Sequence, residues 1–387
     1  MPVRPIRVAV VAASLRILGG QAVQAQRNLE GFAGDPEVDA WLVPINPVPP
    51  RPFDRLLSIK YARTIVTQLL YWPLLFRELR RADIVHVFSA SYSSFLLSPL
   101  PAIVVGKLLG RPVLLNYHSG EAADHLGQSP FTRFVLRHAI DLNVVPSAYL
   151  EGVFASFGIH AIVVHNSIDV SRFVYRERSA LRPKLLSTRT LEGLYNVACT
   201  LRAFAVVQAR HPEATLTVVG SGSQEPMLKE LASVLGLRHV RFAGRVPPDR
   251  IHEYYAEADV YVQTPRIDNM PLSVLESFAS GLPVVATNIG GVPAILTGGV
   301  HGYLAADDDA EAVADQVEAI LADPDEARRR ARAARDTCAQ FEWPVVRGGW
   351  VAAYRSMLSA RRAGAPLERS VPAAAVRARS SSPQGPL

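Results

Sequence analysis

Twelve short runs rich in β-branched residues, nearly all followed by a helical stretch, pass along the chain from start to finish, and no other feature constrains the fold as much. Strand and helix in alternation is the pattern of parallel sheets covered by helices on both faces. Six runs fill the first half: Ile6 to Ala12, Trp41 to Ile45, Ile84 to Phe88, Val113 to Tyr117, Leu142 to Val145 and Ile162 to His165. The second half repeats the scheme with Lys184 to Ser187, Thr215 to Val219, Val240 to Ala243, Val260 to Gln263, Val284 to Thr287 and Gly302 to Leu304. At 387 residues the chain is too long for one ordinary core. The expected class is therefore α/β with two Rossmann-like domains, residues 1–170 and 171–345, their boundary lying between Asn166 and Phe173. Ligands of such sheets bind beyond the carboxyl ends of the strands, so a site is expected in a cleft between the halves. A helix from Val345 to about Arg361, with the return segment taken as 346–363, is expected to cross back onto the first domain. Residues 364–387, rich in Pro, Ala, Ser and Arg, read as a disordered tail.

Hydrophobic content of 49% and charged content of 20% are those of a globular protein. A net charge of +6 suits an anionic ligand or an acidic membrane surface, but part of the excess sits in the Arg-rich ends of helices and in the tail. No nucleic-acid partner is expected. The two cysteines, Cys199 and Cys338, are far apart and outside any metal-ligand spacing, which points to a reducing compartment. The first residues run directly into a strand without the features of a signal peptide. The longest apolar region, Phe95 to Tyr117, is broken by Pro99, Pro101, Lys107, Gly110, Arg111 and Pro112, which argues against a spanning helix. A cytoplasmic protein is expected.

The richest stretch chemically is Arg266 to Gly291, where a loop, a short helix and an apolar strand carry two carboxylates, Asp268 and Glu276, eight positions apart. With a helix beginning near Met270 or Pro271, Glu276 projects about a turn and a half along it and Asp268 stays on the loop at its start. The N–H groups of Met270, Pro271's neighbours and Leu272 then face an anion between them. Arg189 ends the first strand of the second half, where a guanidinium can grip a diphosphate bidentately. Gly220-Ser-Gly222 makes a tight turn that either brings backbone close to a ligand or simply ends its strand. Gly19-Gly20-Gln21 opens a helix over Ala22 to Phe32, and reads equally as a phosphate-approach loop or as turn punctuation.

Other polar residues divide by position. His118 and Glu121 follow the strand Val113 to Tyr117, where a side chain can serve a sugar hydroxyl or a reaction centre. His86 falls inside a strand and reads as buried structure, and His165 and His301 receive no role. Asp307-Asp-Asp309 precedes a helix, so capping is favoured over a magnesium site. From Arg55 to Arg81, basic residues alternate with Leu, Ile, Tyr, Trp and Phe. Such a stretch reads either as an amphipathic packing helix with a solvated basic face or as a contact with an anionic membrane that admits a lipid-linked acceptor.

In this order the pieces resemble glycosyltransferase family 4, from Ile6 to about Leu358. The matching stretches are Leu201 to Phe204, Leu216 to Gly222, Val240 to Val246, Tyr255 to Val262 and the Arg266 to Gly291 loop. The resemblance implies a GT-B fold and a retaining transfer from a nucleotide-diphosphate sugar to a hydroxyl, with no metal and no cofactor. It assigns the donor sugar to Asp268, with Asn269 beside it, and the nucleotide to Glu276. It assigns the diphosphate to Arg189, the base to the backbone near Val246, a glycine loop to Gly20 and a sugar contact to His118. Two departures stand out. The family carries glutamate where this chain has Asp268, one methylene shorter, a change of reach of about 1.5 Å. It also carries a lysine five or six residues after the arginine, where this chain has Leu194 and Tyr195. Rival readings are a nucleotide-sugar epimerase or hydrolase of the same fold, and a non-catalytic member that binds the nucleotide sugar.

Overall fold

A computed structural model describes residues 4–16, 20–49, 60–89 and 91–363, with backbone alone at 60–62. Gly19, Arg55 and the stretch 364–387 therefore lie outside the described residues. Two six-stranded sheets, every pairing parallel, make up the architecture.

The first unit comprises residues up to Ser167 together with those from Trp343 on. Its strands are β1 (Ile6–Ala12), β2 (Val38–Pro44), β3 (Ile84–Ser89), β4 (Val113–Tyr117), β5 (Leu142–Val145) and β6 (Ile162–Val163), in the spatial order β2-β1-β3-β4-β5-β6. Alternate residues of β1 feed opposite layers: Ala9 and Val11 join one core cluster, Val8 and Val10 the other. That is the pleat acting on a strand buried on both faces, and it is why the run reads as continuously apolar. The last helix among the described residues, Trp343–Ala363, covers one face by burying Trp350, Val351, Tyr354 and Met357 against Val8, Val10, Ile84 and Leu114. Gly31 makes room for its first residue, since a Cβ there would lie 2.1 Å from the Trp343 ring. The helix Lys60–Leu79 packs Tyr71, Leu75 and Leu79 into the opposite core while Ile65, Leu69 and Trp72 stay exposed.

The second unit, Ile168–Glu342, contains β7 (Lys184–Thr188), β8 (Thr215–Val219), β9 (Val240–Gly244), β10 (Val260–Gln263), β11 (Val284–Thr287) and β12 (Tyr303–Ala305). Their order is β12-β11-β10-β7-β8-β9. Chain direction across the sheet reverses between β7 and β10, so the loops leaving those two strands diverge and open a crevice at their carboxyl ends. Arg189 and the Arg266 to Asp268 loop follow these two strands. The acidic run before the helix Ala310–Ala322 caps it: Asp309 accepts from the Ala312 N–H at 2.9 Å.

Candidate functional site

Backbone contacts first fix where Arg189 stands. Its N–H donates to the Val219 carbonyl at 3.1 Å, and the turn after β8 closes against it. A Cβ on Gly220, whose φ is +141°, would lie 2.0 Å from the Arg189 carbonyl oxygen, and one on Gly222 would lie 2.3 Å from that of Leu191. The approach these glycines serve is thus to the chain's own backbone. Across the crevice, Gly290 and Gly291 do the same for the Asp268 loop. Their Cβ atoms would lie 2.2 Å from the Asp268 oxygen and 1.7 Å from the Asn269 oxygen, and the Gly291 N–H donates to the Asp268 carbonyl at 3.0 Å.

Side chains then meet between the two segments. Arg189 Nη2 donates to Asp268 Oδ2 at 2.5 Å and Nη1 to Ser273 Oγ at 3.2 Å. Both partners of the ion pair are about nine-tenths buried, at 10% and 11% side-chain exposure. Burial pushes the Asp268 carboxyl above its ordinary range, opposed by the Arg189 charge and by the Asn269 N–H. Burial pulls the Arg189 guanidinium down, but the Asp268 charge together with Tyr195, Tyr261 and Tyr255 outweighs it and holds the group above its usual value. The Ser273 hydroxyl in turn donates to Gln263 Oε1 at 3.1 Å. Three buried donors in this region meet no acceptor among the described residues: Arg189 Nε, Gln263 Nε2 and the Ser187 hydroxyl. Buried donors left in this way call for a partner.

The helix that follows begins at Leu272, with Pro271 as its N-cap, and runs to Ala279. Asn269, Met270 and Pro271 are buried at its entrance. One turn further, Glu276 Oε2 accepts from the Tyr255 hydroxyl at 2.9 Å, and that hydroxyl also meets Thr188 Oγ1 at 2.7 Å. Burial, and then the Glu276 charge, raise Tyr255 well above its ordinary value, so it remains a donor. Val246 lies beyond β9, half-buried against the cluster that contains Tyr255 and Met270. The sequence reading missed Tyr255, Ser273, Gln263 and Tyr195. A glutamine at the end of an otherwise apolar strand was the one signal that marked any of them.

The remaining candidates belong to the first unit. His118 stacks on Phe88 with centroids 5.2 Å apart, and Phe88 stacks on His86 at 5.0 Å. Burial pushes His118 down to about 4 and His86 down to about 3, so both imidazoles are neutral. His86 is fully buried and shares a hydrogen bond of 2.8 Å with Tyr354. Glu121 precedes the helix Ala122–Gln128, and its N–H donates to Ser119 Oγ at 3.3 Å. Gly20 is the exposed first residue of the helix Gly20–Gly31. Among the described residues no group of three or more His, Cys, Asp or Glu side chains is arranged to hold a metal ion. No described helix is long and apolar enough to cross a membrane.

Residues 20–172 match Glycosyltransferase Family 4, and residues 174–337 match Glycosyl transferases group 1. Glycogen synthase of Mycobacterium tuberculosis is 29% identical over 265 residues, covering 64% of this chain and 63% of that protein. The match thus spans under two thirds of that relative's length. The GDP-mannose-dependent alpha-(1-6)-phosphatidylinositol monomannoside mannosyltransferase of the same species is 30% identical over 261 residues, 60% of this chain and 67% of the relative. Among solved structures, Anabaena HepE in complex with UDP-glucose superimposes with a TM-score of 0.70 at 17% identity, over 92% of this chain and all of that one.

Proposed function

The chain belongs to glycosyltransferase family 4, and from that membership we propose that it moves a sugar from a nucleotide-diphosphate sugar to the hydroxyl of a glycan, lipid-linked or small-molecule acceptor, retaining anomeric configuration and using no metal. The observation that carries this reading is the convergence of Arg189, Asp268 and Ser273 at the switch point of the second sheet, with Glu276 one turn further along the same helix. Glu276, one oxygen fixed by Tyr255, holds the ribose hydroxyls. Arg189 takes the diphosphate, aided by the helix start at Met270 to Leu272. Asp268 and Asn269 serve the donor sugar.

In the proposed step the bond between the anomeric carbon and the β-phosphate oxygen breaks while the acceptor oxygen bonds to the same face of that carbon. The acceptor's proton passes to the departing phosphate oxygen, so no side chain becomes a nucleophile. Arg189 contributes by neutralising charge that grows on the diphosphate as the bond lengthens. We assign acceptor recognition to the first unit, and within it give Gly20 to the donor diphosphate and His118 to the sugar. Its helix Lys60–Leu79, which exposes Arg63, Ile65, Leu69 and Trp72, is our candidate for peripheral contact with an anionic membrane.

Incubation with labelled UDP-glucose and GDP-mannose, each with and without a panel of glycan and lipid acceptors, tests the proposal. Glycoside formed only when acceptor is present supports transfer. Free sugar or an epimerised donor without acceptor points to the epimerase or hydrolase, and binding without turnover across the panel to a non-catalytic member. A product of inverted anomeric configuration removes the front-face step.

A further inference from the structure

Arg189 is held over its face as well as at its edge. Its Cζ lies 4.1 Å from the centroid of the Tyr195 ring, a separation at which a cation is drawn to the negative face of the ring. Tyr195 closes a single turn of 3-10 helix, Gly193–Tyr195, and the next residue, Asn196, takes left-handed backbone at φ +46°. Asn196 is buried and fixed: its side chain donates to Asp308 at 2.9 Å and its carbonyl accepts from Thr264 at 2.8 Å. On the other side of the turn, the Leu194 carbonyl accepts from the Arg266 N–H at 2.9 Å, while the Arg266 side chain reaches Asp308 at 2.8 Å. The turn bearing Tyr195 and the loop bearing Asp268 are knitted into one piece, and Arg189 stands between them.

We propose that Tyr195 is a positioning residue for the donor diphosphate: with its ring face against Arg189, it holds the guanidinium in one orientation, aimed at the phosphates. This rests on the reading that Arg189 grips the diphosphate. The ring brings no charge of its own, and its negative face keeps the guanidinium from swinging away. With Nη1 and Nη2 engaged by Ser273 and Asp268, the buried Nε–H, which meets no acceptor among the described residues, remains for a phosphate oxygen.

Calorimetric titration of UDP and GDP into the full-length protein tests this with four variants, Tyr195→Phe, Tyr195→Leu, Arg189→Met and the double Tyr195→Leu/Arg189→Met. Tyr195→Phe keeps the ring and binds as the wild type does. Tyr195→Leu weakens the diphosphate about fivefold, and that loss disappears in the Arg189→Met background, because the ring acts only through the guanidinium. Wild-type affinity in Tyr195→Leu overturns the proposal. So does an equal loss in Tyr195→Phe, which assigns the effect to the hydroxyl, or a loss that persists undiminished beside Arg189→Met, which marks plain packing. If Arg189→Met itself binds as tightly as the wild type, the diphosphate reading fails and takes this one with it.

Discussion

Replacing Asp268 by Asn removes one charge from the Arg189 pair while leaving the side chain's size almost unchanged. Both groups are about nine-tenths buried and 2.5 Å apart, so the variant leaves a guanidinium facing a neutral amide in a poorly solvated crevice. Breaking a buried pair from one side costs about 3–5 kcal/mol, and the partners that remain to Arg189, Ser273 and Tyr195, bring the expected loss towards about 3 kcal/mol. For a unit of this size that lowers the melting temperature by roughly 6–12 °C. The effect of ligand should run the other way. On the proposed assignment, a diphosphate reaching Arg189 through Nε in the wild type lies beside the Asp268 carboxylate and is repelled by it. Without that charge the phosphate takes its place, and UDP or GDP should bind about tenfold tighter, about 1.4 kcal/mol. Scanning fluorimetry with and without nucleotide, together with calorimetry, reads both effects, and sugar transfer should fall because the donor sugar loses its carboxylate. An unchanged melting temperature, or nucleotide binding weaker than that of the wild type, would refute the idea that Asp268 is held in reserve on the phosphate ligand. Asp268→Glu is the companion variant: higher turnover would mark the shorter side chain as a degraded contact, and lower turnover as a tuned one.

Glu276→Ala should abolish the thermal shift that UDP or GDP gives the wild type, and a retained shift would reject the ribose assignment. Gly291→Ala should drive the Asn269 carbonyl aside, since a Cβ there lies 1.7 Å from its oxygen. A displacement of the loop by about 1 Å should lower kcat/KM on the order of a hundredfold. His86 is held neutral by burial at about 3 against about 6.5 in the unfolded chain, which therefore binds the proton first as pH falls. Its contribution to stability is complete above 6.5 and declines towards pH 3 by up to about 1.4 kcal/mol per pH unit, and His118 adds to this down to about 4. Urea midpoints measured at pH 7.5, 6 and 5 should fall in that order. Co-sedimentation with phosphatidylserine-containing vesicles should decrease for Leu69→Glu if the helix Lys60–Leu79 meets a membrane, and neutral vesicles should bind less than acidic ones.

The sheets were legible because their strands are buried on both faces, which forces apolar runs such as Ile84 to Phe88 and Val284 to Thr287. The edge strand β2 was less so: it starts at Val38, three residues before Trp41, because Asp39 is exposed there and interrupts the run. In the site, Arg189, Asp268 and Glu276 were legible as charges at the ends of strands and the start of a helix. Tyr195 and Tyr255 were not, since an aromatic in a helix or turn looks like core and only the partners reveal its work; Gln263 was marked only by being polar at the end of an apolar strand. Gly220 and Gly222 were read as marking a ligand or a strand end, and their use is to let backbone lie against backbone.

The first sheet is completed by residues that lie beyond the whole of the second unit in sequence. During synthesis the strip formed by Val8, Val10, Ile84 and Leu114 emerges early, with Ala25 and Phe32 beside it, and stays only partly covered until Trp350, Tyr354 and Met357 are made. The unit translated later can close first, and the earlier one must wait with an apolar surface exposed. A chain cut after Glu342 would retain every residue proposed above for the donor yet leave that strip only partly covered, so nucleotide binding and solubility should part company in such a fragment.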